Sequence, residues 1–130
     1  MHVGRTIAGV GAAAWLLVAS EIAAAAESAT APVSFARDVK PLLARRCFAC
    51  HGPDAAEGGL RLDDPQHALA ELDSGLHAIV PGEPHHSQLL VRVAAEDSWE
   101  RMPPEGPPLT EDEIAALREW IEQGAAWEKH

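Results

Sequence analysis

Beyond one apolar run near the start, hydrophobic positions along this chain come in short groups separated by proline and glycine. Val39, Leu42, Leu43 and Phe48 fall on one side of a first predicted helix, with Asp38 as its N-cap. Pro41 would sit at the third helical position, where its missing N–H has no intrahelical partner to lose. This helix should run into Cys47–His51 and stop at Gly52-Pro53. Gly58-Gly59 opens a loop into Leu60–Asp63, too short for more than an extended strip. A short helix starts at Pro65, continues through His67, Ala68, Leu69 and Leu72, and closes at Asp73–Gly75. Ala78–Val80 reads as extended, Pro81-Gly82 turns the chain, and Pro84 opens another helix with Glu83 as a weak cap. Leu89, Leu90 and Val93 form its buried side.

Met102–Pro108 (MPPEGPP) cannot be the interior of a helix or sheet and predicts a stiff, extended loop. The last helix has the clearest signals. Thr110 and Glu113 form a capping box, Ile114, Leu117, Trp120 and Ile121 make one stripe, and Gly124 ends it. The class is all-α: three or four short helices joined by long, proline-rich loops.

Residues 1–26 read as a signal peptide, with His2 and Arg5 ahead of the apolar stretch Ile7–Ala19 and an Ala-x-Ala cleavage site among Ala23–Ala26. The rival is an uncleaved membrane anchor, but the stretch falls short of the roughly 20 residues that span a bilayer. Residues 27–33 are then a flexible lead-in, and 34–128 the folded domain. Export predicts a periplasmic or otherwise secreted protein. Cleavage removes one arginine and one glutamate, so the net charge of −10 is unchanged. That charge makes nucleic acid an unsuitable partner, because binding there requires neutralising phosphates. A docking protein would need a basic face.

Large apolar side chains are scarce: four tryptophans, two phenylalanines and no tyrosine. A chain so poor in them struggles to build a dense core alone, and a buried prosthetic group would supply the missing bulk. The two cysteines, three positions apart, would close too small a loop for a useful disulfide.

Cys47-Phe48-Ala49-Cys50-His51 has the form C-x-x-C-H, the attachment signature of c-type haem. Two thiols a helical turn apart can form thioethers with the vinyl groups of adjacent pyrroles, and the following imidazole is placed to coordinate the iron. A thioredoxin-like dithiol would need a βαβ context. A zinc site would need more ligands; His85 and His86 could contribute, but there is no second cysteine pair. Chance occurrence of the motif is the third rival. One covalent haem c is therefore expected, on Cys47 and Cys50, with His51 as proximal ligand. Met102 is the only methionine left after signal-peptide removal. Its proline-braced loop would hold a thioether near the iron at low entropic cost, and His/Met is a common ligand pair. A lone methionine can also simply fill a core gap, and His67, His77, His85 and His86 are rival sixth ligands.

The stretches FARDVKPLLARRCFACHG, GGLRLDD, DSGLHAIVPGEPHHSQLLVRV and RMPPEGPPLTEDEIAALREWIEQGAAW resemble the planctomycete-type cytochrome c domain of the class I cytochrome c superfamily, over about Ser34 to Trp127. The resemblance implies the small cytochrome c fold around one haem, with Cys47 and Cys50 bonded to it, His51 proximal and Met102 distal. Around that site, the Pro81 loop is the expected acceptor for the second N–H of His51. Arg61, Arg92 and Trp99 are candidate propionate contacts. Trp120 and Ile121 are expected to pack the last helix against the first near the haem edge. The function so implied is single-electron transfer between redox partner proteins, with no catalysis and no small-molecule substrate. Two alternatives are a haem protein binding carbon monoxide or nitric oxide, and a dedicated electron-transfer subunit of a larger secreted enzyme.

Overall fold

In the computed structural model of the chain, which describes residues 31–128 together with Gly4, Gly9 and Gly11, helical structure begins at Ser34 and not at Asp38. The reason is a reciprocal exchange. Ser34 Oγ accepts the N–H of Arg37 at 3.3 Å, and Asp38 reaches back to accept the N–H of Ser34 at 2.9 Å. Asp38 is the returning half of the cap. The first turn, Phe35–Val39, is widened: the N–H of Val39 reaches Ser34 O, and that of Lys40 reaches Phe35 O. Pro41 follows, at the start of helix α1 (Lys40–Arg46), where the wide turn reverts to ordinary helical spacing. The signal-peptide assignment to residues 1–26 lies outside the described residues, as do residues 27–30; Ala31–Val33 have no regular structure.

Helix α1 also ends earlier than expected. The N–H groups of Cys47 and Phe48 converge on Leu43 O, at 2.8 and 3.0 Å, which unwinds the helix before the cysteine pair is complete. Gly52-Pro53 is therefore not its stop. Those residues belong to a miniature antiparallel hairpin, β1 (His51–Gly52) with β2 (Ala55–Ala56), His51 opposite Ala56. This hairpin departs from an all-α expectation in an otherwise largely helical fold. A tight turn at Glu57–Gly59 leads into the Leu60–Leu62 strip, and the N–H of Leu62 bonds to His51 O at 2.9 Å.

Helix α2 (Pro65–Ala68) is capped by Asp64, whose carboxylate accepts the N–H of Gln66 at 3.0 Å. It stops short of Leu72, which is committed to a separate turn: its N–H bonds to Leu76 O, and the N–H of Gly75 bonds to Leu72 O. Pro81-Gly82 makes the expected turn, with Gly82 at φ 80° and the N–H of Glu83 on Val80 O. Pro84 starts only a short tight turn. Helix α3 (Gln88–Val93) begins after Ser87, with Leu89, Leu90 and Val93 buried as expected. Ser87 is the one fully buried polar side chain of the described residues; its hydroxyl accepts the Val80 N–H at 2.9 Å and donates to Glu83 O at 3.0 Å.

Helix α4 (Glu111–Glu122) has the predicted capping box: Thr110 Oγ1 accepts the Glu113 N–H, and Glu113 returns a carboxylate to the Thr110 N–H. It ends in a Schellman arrangement, with the N–H of Ala125 on Trp120 O and that of Gly124 on Ile121 O. Val39, Leu43, Leu62, Leu117, Trp120 and Ile121 are buried almost completely and form the centre of the core. Phe35, Trp120 and Trp127 pack ring against ring, with centroids 4.4 to 5.5 Å apart. They join the start of the domain to its end.

Two substitutions separate the energetic roles of these caps. Ser87→Ala leaves the buried Val80 N–H unpaired and is expected to destabilise the protein by about 1–3 kcal/mol. Thr110→Ala, at an exposed cap, should cost about 1 kcal/mol. Urea unfolding of the two variants against wild type checks the order. Asp38 gives a pH signature: its hydrogen bond from Arg37, together with that from the Ser34 N–H, holds its carboxyl below the usual range. The stability it contributes is present above the ordinary carboxylate pKa and is lost as pH falls through the lowered value. Asp38→Asn should flatten that part of an acid unfolding curve.

Candidate functional site

The turn after α1 presents Cys47, Cys50 and His51 in close succession, held by bonds from the N–H groups of Cys50 and His51 to Cys47 O. All three side chains line one cavity of about 420 Å³. Met102 lines the same cavity, although it is remote from them in sequence. The structure thus brings Cys47, Cys50, His51 and Met102 to one cavity.

The walls between them are apolar, from Leu60, Leu62, Leu72, Ala78, Leu89 and Val93. They come from the strip that follows the hairpin, the Leu72–Leu76 turn, the Ala78 segment and α3. Charged groups stand at Arg46 and Arg92, and at Glu57 and Asp73.

His51 is oriented by a backbone carbonyl, but not the expected one. Its Nδ1 lies 3.3 Å from Leu60 O. A carbonyl only accepts, so Nδ1 carries the proton and Nε2 is left with a free lone pair. The Pro81 loop lies elsewhere: the N–H of Gly82 bonds to Ile121 O at the end of α4, and none of Val80–Glu83 lines the cavity. The two cysteines are free thiols. Burial pushes the Cys47 thiol up to about 11, against a smaller opposing effect of Arg46. A thiol so far from ionising at neutral pH is a poor thiolate for disulfide exchange. Among the described residues, no group of three or more His, Cys, Asp or Glu side chains is placed to hold a metal ion, which leaves the zinc reading without its ligands.

Met102 is half-buried, and its N–H donates to Arg92 O at 2.9 Å. Pro103 and Pro104, next in the loop, also touch the cavity. The rival histidines His67, His77, His85 and His86 are all exposed, and none lines the cavity. His67 is held by Asp64 at 2.7 Å and His77 faces Leu69 O at 3.3 Å.

The donor set is two free thiols, an imidazole with one nitrogen available and a thioether, all set in apolar walls. It fits a flat, apolar macrocycle that Cys47 and Cys50 would hold through thioethers, with His51 and Met102 as side chains that could bind its iron. Residues 47–106, from the first cysteine to just beyond Met102, match the family described as planctomycete cytochrome C. This segment is a planctomycete-type cytochrome c domain. No curated protein and no solved structure gives a significant match to the chain. A cytochrome c domain implies covalently bound haem c, and C-x-x-C-H is its attachment signature.

Within this cytochrome c domain, some nominated neighbours of the haem fall elsewhere. Arg92 lines the cavity, but Arg61 is turned to Asp63 at 2.7 Å, and Trp99, 93% exposed, does not reach it. Trp120 does pack α4 against the first helical turn through Phe35 and sits with Trp127, and Ile121 is fully buried, but neither touches the cavity. Arg46, next to Cys47, was not singled out from the sequence. It lines the cavity, and its Nε is buried without a hydrogen-bond partner. Its position beside the first cysteine was the only available signal. The Leu60 carbonyl, a backbone group, left none.

Gly52 has a steric role in this domain. A Cβ at this position would stand 2.3 Å from Phe48 O, inside the turn that carries both cysteines. Gly52→Ala must push that turn open. The expected outcome is a clear drop in covalent haem per protein after co-expression with a haem-maturation system, measured by haem staining of denaturing gels.

Proposed function

We propose that this chain is an exported, mono-haem c-type cytochrome that passes single electrons between protein partners and carries out no catalysis on a substrate. The observation that supports it is the convergence of Cys47, Cys50, His51 and Met102 on one apolar cavity. Bound haem c supplies a one-electron iron couple. The roles of the chain's own residues follow from their chemistry. Cys47 and Cys50 provide the two covalent anchors, and the carbonyl of Leu60 fixes the His51 tautomer so that Nε2 is the ligand. Met102 provides a soft sulfur that favours ferrous iron and raises the potential relative to a second histidine. With His51 and Met102 both bound to it, the iron would leave no place for a substrate. Leu60, Leu62, Leu89 and Val93 give the cavity apolar walls that would keep water from the bound group.

The net charge of −10 supports a partner with a basic docking face. Such encounters should be small in area, brief and weakened by salt. The export assignment rests on the signal-peptide pattern of residues 1–26, and places the carrier in the periplasm or beyond.

The reduced holoprotein should show a sharp low-spin α band, with haem that resists acid-acetone extraction. Colourless protein, or haem that extracts freely, would return Cys47 and Cys50 to a dithiol. Carbon monoxide tests the sixth ligand. The reduced wild-type protein should not bind it rapidly at neutral pH, whereas Met102→Ala should keep covalent haem and bind it stoichiometrically. Rapid binding by wild type would replace electron transfer with small-ligand binding as the function.

A further inference from the structure

The loop that carries Met102 is unusually poor in bonds of its own. Pro103, Pro104, Pro107 and Pro108 have no N–H to donate. Among the described residues, Pro103–Leu109 make a single hydrogen bond: the Pro107 carbonyl accepts from Nη2 of Arg46. On either side, the segment is fixed by the Met102 N–H on Arg92 O and by the buried Leu109 ahead of the Thr110 cap.

We propose that Arg46 is a positioning residue for Met102. It fastens the methionine loop directly to the cysteine-bearing turn. The inference rests on Met102 being the distal ligand.

Arg46 is suited to this by its place in the chain. It is the last residue of α1 and adjoins Cys47, whose N–H is bonded to Leu43 O at 2.8 Å. Its backbone is therefore as fixed as the first haem anchor. Its guanidinium is not a free surface charge: Nε is buried and without a partner, while Nη2 is committed to Pro107 O. A residue needed here only for packing or solubility would gain from neither condition. The neighbouring Arg45 shows the contrast. It is largely exposed and reaches Glu113 only at 3.9 Å. Through Arg46, the two walls of the cavity that bear iron ligands are tied by one side chain. Without it, the prolines keep the loop stiff but leave it attached only at its two ends. The Pro103–Pro108 segment can then move about the Met102–Arg92 bond and turn the Met102 side chain away.

The test uses ferric holoprotein and cyanide, which binds the iron only when the sixth ligand departs. In wild type, the weak red-edge band of a sulfur-to-iron bond should be present and cyanide binding should be weak. Arg46→Ala should bind cyanide about tenfold more tightly, as the fraction of molecules with the loop displaced rises. Arg46→Lys, which keeps a donor and the charge, should restore much of the wild-type value. Arg45→Ala should leave it unchanged. If Arg46→Ala accumulates too little holoprotein, Arg46→Met retains the aliphatic stem and takes its place. Unchanged cyanide affinity in the Arg46 variants, or an equal change in Arg45→Ala, overturns the proposal. A wild-type spectrum without the sulfur band, unaltered by Met102→Ala, is a different failure: it removes Met102 as the ligand and the proposal with it.

Discussion

The register of Cys47, Cys50 and His51 is the constraint around which the remaining structure is arranged. Three side chains from five consecutive residues must face the same apolar space, and an uninterrupted α-helix would not deliver them there together with the chain reversal that follows. Helix α1 is therefore released at Leu43, whose carbonyl takes two N–H groups, and the next residues close on Cys47 O. The immediate return of the chain through the His51–Ala56 hairpin brings the Leu60 carbonyl under the imidazole and sends Leu62 back onto His51 O. Each step is short-range, and each serves to aim one of three side chains.

The opposite wall is made differently. It has no regular structure, and its stiffness comes from proline, not from hydrogen bonds. Restricting φ along Pro103, Pro104, Pro107 and Pro108 lowers the entropy lost when the loop is held in place. It also removes the donors with which a loop normally fastens itself. Attachment must then come from outside, from Arg92 O at one end and Arg46 near the other. The cavity thus has a rigid, internally bonded side and a stiff side held from without.

The sequence made the chemistry more legible than the local geometry. C-x-x-C-H and a methionine among prolines are patterns whose residue types restrict the possible uses, and all four residues meet at one cavity. Capping boxes and stripes were legible where a helix was long enough to show them, as in α4. What was missed depended on tertiary competition. Asp38 resembled an N-cap because an acidic residue precedes an apolar run, but Ser34 lies four residues earlier and uses that carboxylate in return. Glu83 and Pro84 resembled a helix start, yet the demand for a partner at the Val80 N–H drew Ser87 inward and moved the start. Arg61, Arg92 and Trp99 are equally plausible as strings. Only the fold shows that Asp63 holds the first and that the third stands in water.

The aromatic cluster has a consequence for how such a unit can be used. Phe35 lies one residue from the start of the folded region and Trp127 close to its end. Their rings pack tilted with centroids 4.4 Å apart, while Ser34 Oγ donates to the Glu128 carboxylate at 2.7 Å across the same seam. Both ends therefore leave the domain side by side, and none of these residues touches the cavity. Chain added at one end would emerge beside the other without passing over the haem-binding opening. Polypeptide joined at either end would leave the cavity uncovered.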